Sequence, residues 1–123
     1  MRNQPKYHLF KNARYATEGL WEVFLHETSF RIEMFLSIVV WVGLVFMPIP
    51  LTAKAALGLS LLFVLIAELG NSAIERTVDL VTKEHHTLAK QAKDAGAAMV
   101  LLSLIFAIVV WVVTLYTLYF GSA

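Results

Sequence analysis

Glu68, Asn71, Glu75 and Asp79 interrupt a stretch that is otherwise apolar enough for a membrane interior. Their spacing of three, four and four residues puts all four on one helical face. A carboxylate within the hydrocarbon costs about 3 kcal/mol or more unless it is paired, solvated or bound to a cation. Groups kept there mark proton, ion or substrate chemistry. Glu27 and Glu33 bracket a second polar segment, HETSFRIE, and Lys93 with Asp94 open a third. Carboxylates beside a lysine can hold a hydrated Mg²⁺ and the phosphate tail of a nucleotide, since Mg²⁺ takes oxygen ligands and keeps water. Phosphoryl transfer asks of a protein chiefly positioning, metal and charge neutralisation. A deeper carboxylate, Glu68, suits proton removal from a lipid hydroxyl.

Each of these residues has a plainer reading. Glu33 alone, and Glu27 beside His26, read as solvated interfacial groups. Asp79 with Arg76 reads as a solvated helix end. His85 and His86 read as an exposed pair, because no further Cys or His has zinc-ligand spacing. Asp94 suits the N-cap of a following helix. The trio Glu68, Asn71 and Glu75 is the strongest signal. No G-x-x-x-x-G-K-[ST] loop and no Gly-rich kinase loop occurs, so a nucleotide site here needs an unrelated design. On the residues alone, an enzyme and an ion or proton conduit both remain open.

The elements that must position these groups follow from composition. The 123 residues are 59% hydrophobic and only 15% charged, with mean hydropathy +0.69. A water-soluble domain of this size cannot hide so much apolar surface. An all-α integral membrane protein of one domain is expected. There is no cysteine, which removes disulfides and thiolate chemistry. Residues 7–28 read as an amphipathic surface helix, with Leu9, Phe10, Leu20, Trp21 and Phe24 opposite Lys11, Glu18 and Glu22. The first 33 residues lack the continuous apolar core of a cleavable signal peptide. Spans are expected over 31–50, 52–81 and 95–120, with a polar connection over 82–94.

Basic residues gather before the first span (Arg2, Lys6, Lys11, Arg14, Arg31) and between the second and third (Arg76, Lys83, Lys90, Lys93), against Lys54 alone on the other side. The positive-inside rule places the N-terminus and the 82–94 connection in the cytoplasm and the C-terminus outside. Three helices cannot enclose the polar stripe. Small residues at Gly58, Ser60, Ala67, Gly70, Ala73 and 95–98 permit close helix contact, so an oligomer is expected.

The segment ELGNSAIERTVDLVTKEHHTLAKQAKDAGAA, with E-x-x-N-S-A-I-E followed by D, K-E-x-H and A-K-D-x-G, resembles the signature of the small prokaryotic integral-membrane diacylglycerol kinases. HETSFRIE after an amphipathic helix is similar to that family's first segment. The likeness covers roughly residues 7–120 and lies nearer the Gram-negative diacylglycerol kinases than the Gram-positive undecaprenol kinases. It implies a homotrimer in the bacterial cytoplasmic (inner) membrane, with sites between subunits. It implies transfer of the γ-phosphate of MgATP to diacylglycerol, giving phosphatidic acid, and no nucleic-acid partner.

The same resemblance makes Glu68 the general base and Glu27 and Glu75 the metal-linked carboxylates. His8, Tyr15, Glu84, His85, His86, Lys93 and Asp94 would join Glu27 and Glu75 around ATP. Glu33, Asn71 and Ala97 would join Glu68 around the lipid. Four positions depart from the family pattern. His8 stands where close relatives carry Arg, Asn12 and Arg14 replace small residues, and Ala97 takes a place often held by Ser.

Overall fold

The computed structural model describes residues 8–121, so Tyr7, Arg2 and Lys6, which entered the helix and charge readings, lie outside the described residues. The described residues form four helices: α1 (Leu9–His26), α2 (Thr28–Phe46), α3 (Leu51–Val81) and α4 (Thr87–Phe120). No strand occurs among the described residues. Three of the helices, α2, α3 and α4, are long and apolar enough to cross a membrane.

α1 and α2 are separated by one residue. Glu27 adopts extended backbone, φ −122° and ψ 107°, and ends one helix while beginning the next. Arg31 secures this corner. Its guanidinium donates to the carbonyls of Phe24 at 3.0 Å and Leu25 at 2.6 Å, and to Thr28 Oγ1 at 3.1 Å. Those carbonyls belong to the last turn of α1, where no intrahelical N–H remains to satisfy them. Beneath the corner, Val23, Phe30 and Leu65 form the buried cluster that joins α1, α2 and α3. The rest of α1 lies open: Phe10, Trp21 and Leu25 are all exposed.

The α2–α3 turn uses Pro48 and Pro50, which cannot donate backbone hydrogen bonds and so cannot continue a helix. Lys54 Nζ reaches back to the carbonyl of Val45 at 2.9 Å, satisfying one free end of α2. Two indoles tie the spans together at depth. Trp41 Nε1 donates to Gly58 O and Trp111 Nε1 to Ser60 Oγ, each at 3.0 Å. With no water in the hydrocarbon, each such N–H needs a protein partner.

α4 begins at Thr87, eight residues before the span expected from 95, so the 82–94 connection is non-helical only in its first part. Nothing in TLAKQAKD breaks a helix. Ala, Leu, Lys and Gln are strong helix formers, and Lys90 pairs with Asp94 one turn on at 2.6 Å. The cap is His86, whose Nδ1 accepts from the Leu88 N–H at 3.1 Å, and not Asp94, which lies two turns into α4.

α3 has 31 residues and α4 has 34, roughly 46 and 51 Å at 1.5 Å per residue. Both exceed a hydrocarbon core of about 30 Å. Their paired ends, the C-terminal part of α3 and the N-terminal part of α4, therefore project beyond it. α4 packs along α3 more extensively than any other pair of helices.

Candidate active site along the polar face of α3

The unbroken helix from Leu51 to Val81 makes the polar stripe continuous. Each of the other elements meets it at a different height. At its deepest point the half-buried Glu68 has Glu33 of α2 beside it, carboxyl to carboxyl. One turn further, Asn71 Nδ2 donates to Glu75 Oε1 at 3.2 Å. Asn71 also packs against Gly96 of α4, where a Cβ would collide with the amide oxygen. A side chain at this helix crossing would make the Asn71 amide shift. At the far end Asp79 accepts from Lys93 of α4 at 2.6 Å.

Glu27 docks on the flank of the stripe. Its Oε1 accepts from the buried Ser72 hydroxyl at 2.6 Å, and its Oε2 from Arg76 Nη2 at 3.0 Å. Ser72 and Arg76 stand one turn apart on α3, so both reach the same side. Arg76 also extends Nη1 to Glu22 Oε1 at 3.7 Å, and Glu22 in turn meets His26 Nδ1 at 3.0 Å.

Among the described residues Asn71 Oδ1 is buried with no hydrogen-bond donor, and Glu33 Oε2 has only the Glu68 carboxyl beside it. Buried acceptors without partners are uncommon and point to a site that receives donors from elsewhere. They lie at the height of Glu68, where the helices leave the apolar zone.

Two grooves flank the stripe. One, of about 400 Å³, opens at the projecting ends of α3 and α4 and is lined in part by Glu84, His85, His86, Lys93 and Asp94. His86 keeps only Nε2 free there, because Nδ1 serves the cap. Thr82 Oγ1 accepts from the Glu84 N–H at 3.1 Å and shapes the bend. The other groove, of about 450 Å³, is almost wholly apolar. It runs from Glu33 between α2, α3 and α4 down to Trp111.

The stripe thus brings together Glu33, Glu68, Asn71 and Glu75, with Glu27 against its side. The outer groove gathers five more of the residues singled out from sequence. Three stand apart from both. His8 and Tyr15 are exposed on and before α1, where Arg14 lies over the Tyr15 ring at 5.5 Å. Ala97 is exposed on α4. Among the described residues no three His, Asp or Glu side chains are grouped to hold a metal ion.

Sequence reasoning passed over two contributors and undervalued a third. Ser72 was hidden as one small hydroxyl inside the N-S-A-I-E motif. Arg31 counted only as a topological charge. Asp79 read as a solvated helix end, yet it pairs across helices with Lys93. The available signal was positional: Ser72 is four residues from Glu68, and Arg31 four from Glu27.

This arrangement has a family counterpart. Residues 14–115 match the model of the family described as Prokaryotic diacylglycerol kinase. The chain is 34% identical over 113 residues to the diacylglycerol kinase of Escherichia coli (strain K12), covering 92% of each chain. It is 38% identical over 112 residues to that of Haemophilus influenzae, covering 85% of this chain and 88% of the relative. To that of Helicobacter pylori (strain J99) it is 35% identical over 113 residues, covering 92% and 88%. The chain belongs to the prokaryotic diacylglycerol kinase family.

Proposed function

We propose that the chain is a lipid kinase that transfers the γ-phosphate of MgATP to the primary hydroxyl of diacylglycerol. The observation that carries this reading is the continuous polar line on α3. It starts at Glu68 beside Glu33, at the head of an apolar groove, and ends at Asp79–Lys93 beside the polar groove. Seven residues separate Glu68 from Glu75, about 10 Å along the helix. A lipid alcohol can keep its tails in hydrocarbon at one end while phosphates stay in water at the other. Family membership supports the same acceptor class.

In this reading the acceptor oxygen attacks the γ-phosphorus, the bond to the bridging oxygen of ADP breaks, and Glu68 takes the hydroxyl proton. Asn71 orients the acceptor, and the apolar groove below Glu33 accommodates acyl chain. Lys93 and the residues of the outer groove hold the phosphates and nucleotide. Glu27 and Glu75 supply hard oxygen donors. They fit a Mg²⁺ that arrives with the nucleotide, which is bound through one or two carboxylates plus phosphates and not by an all-protein cage. The ion's contribution is to neutralise charge on the phosphate oxygens.

The test is a competition assay on purified protein with labelled ATP, diacylglycerol and undecaprenol. We expect Mg²⁺-dependent label transfer to diacylglycerol first. Preference for undecaprenol would make the chain a polyprenol kinase. Ion flux without any lipid-dependent turnover would make it a conduit.

The reading extends to orientation and assembly. The N-terminus is cytoplasmic and the C-terminus outside, on the Lys/Arg distribution. An impermeant reagent should label a tag after Ala123 from outside and leave one before Met1 unlabelled; the reverse pattern rejects the topology. The protein works as a homotrimer whose sites draw on more than one subunit. Support comes from the polar stripe, whose Glu75 the single chain leaves exposed, and from the buried, unpartnered oxygen of Asn71. Mixing inactive Glu68→Gln with inactive Glu27→Gln subunits should restore part of the activity. No recovery in verified mixed trimers counts against shared sites.

A further inference from the structure

Arg76 has no role in the reaction as drawn above, yet it holds one of the two oxygens of Glu27. The geometry points to Arg76 as a positioning residue: a built-in cation that occupies Glu27 until a divalent metal arrives and so sets the metal concentration the site requires. The inference rests on reading Glu27 as a metal-linked carboxylate.

Glu27 sits at the one-residue corner between α1 and α2, with Glu22 of the preceding turn also close to Arg76. Two carboxylates so placed repel each other, and the guanidinium that reaches both offsets that repulsion. Arg76 Nη2 at 3.0 Å and Ser72 Oγ at 2.6 Å hold both Glu27 oxygens from α3. The carboxylate is thereby kept in position without any metal. Ser72 is neutral and leaves the charge of Glu27 unchanged. Arg76 does not: a divalent cation approaching Glu27 meets a guanidinium already there, and like charges at that separation repel.

The guanidinium also has somewhere to go. Nη1 already lies 3.7 Å from Glu22 Oε1. When Glu27 is claimed by metal, Arg76 can pair with Glu22 alone, by a shift of its long side chain and no backbone movement. The side chains of Arg76, Glu22 and Glu27 are 44%, 51% and 28% exposed, so the exchange takes place where ions and water have access. It follows that Arg76 lowers metal affinity and at the same time preserves the geometry the metal needs.

The test titrates Mn²⁺ into the full chain in detergent micelles with one equivalent of a non-hydrolysable ATP analogue, counting free Mn²⁺ by electron paramagnetic resonance against the analogue alone. Arg76→Gln should bind Mn²⁺ about fivefold more tightly than the parent, the scale of a half-exposed ion pair. Arg76→Lys keeps the charge and should stay within about twofold of the parent. The gain should vanish in the double variant Arg76→Gln/Glu27→Gln, because Arg76 acts through Glu27. If Arg76→Gln does not fold, Arg76→Met, which keeps most of the stem, replaces it with the same expected gain. Equal or weaker Mn²⁺ binding in the neutral variant, no binding at all, or a gain that survives in the double variant overturns the inference. Its failure is separable from that of the reading beneath it. If Glu27→Gln leaves the Mg²⁺ response of turnover at the parent value, the metal role of Glu27 itself fails.

Discussion

Glu68→Gln should fold and assemble as the parent does, bind MgATP, and lose about 10²-fold or more in kcat, the scale of losing a general base. Gln keeps the length and shape of Glu and can still receive hydrogen bonds, so the helix and its neighbours have no reason to move. What it lacks is the capacity to take a proton. Glu68 is where that capacity matters, because it stands about 10 Å below Glu75, on the side of the apolar residues that precede it. Steady-state turnover on diacylglycerol, with size-exclusion chromatography and MgATP binding as controls, checks this. A correctly assembled Glu68→Gln protein with near-parent kcat removes Glu68 from the role of base and leaves Glu33, its carboxyl neighbour, as the group to examine.

Glu27→Gln and Glu75→Gln should each raise the Mg²⁺ concentration for half-maximal turnover, by about 10- to 100-fold, as expected when a group that holds or orients a metal is lost. The two differ in their surroundings. Among the described residues Glu75 is held by Asn71, and Gln can accept the same hydrogen bond. Glu27 anchors Ser72 and Arg76 from another helix, so its loss also loosens α1 against α3. The Glu27 variant should therefore show a lower thermal midpoint together with the shifted Mg²⁺ response, and the Glu75 variant the shifted response alone. Turnover measured over a Mg²⁺ range at saturating ATP separates the cases. A parent-like Mg²⁺ response in either variant removes that residue from the metal site.

The stripe on α3 is legible from spacing because the helix runs through it unbroken, with neither Pro nor a polar loop between Leu51 and Val81. Periodicity reports which side chains share a face. It does not report what lies opposite. Glu27 meets Ser72 and Arg76 across 45 and 49 residues of chain, and no local pattern encodes that distance. The beginning of α4 shows a different limit. Polarity in TLAKQAKD reads as the end of a span and therefore of a helix, but polarity locates the membrane boundary only. Helix propensity carries α4 past that boundary for two further turns. Arg31 shows a third. A charge that serves the positive-inside count can at the same time close a helix end, as its bonds to Phe24 and Leu25 do.

The corner at Glu27 has a mechanical consequence. A loop of several residues between α1 and α2 would let either helix move without the other. Here a single residue makes the turn, Arg31 stitches it shut, and that residue is itself gripped by α3. The joint therefore has no slack. Any roll or tilt of α1 against the spans must be delivered to the Glu27 carboxylate or resisted by Ser72 and Arg76. The seating of α1 and the aim of Glu27 are one degree of freedom.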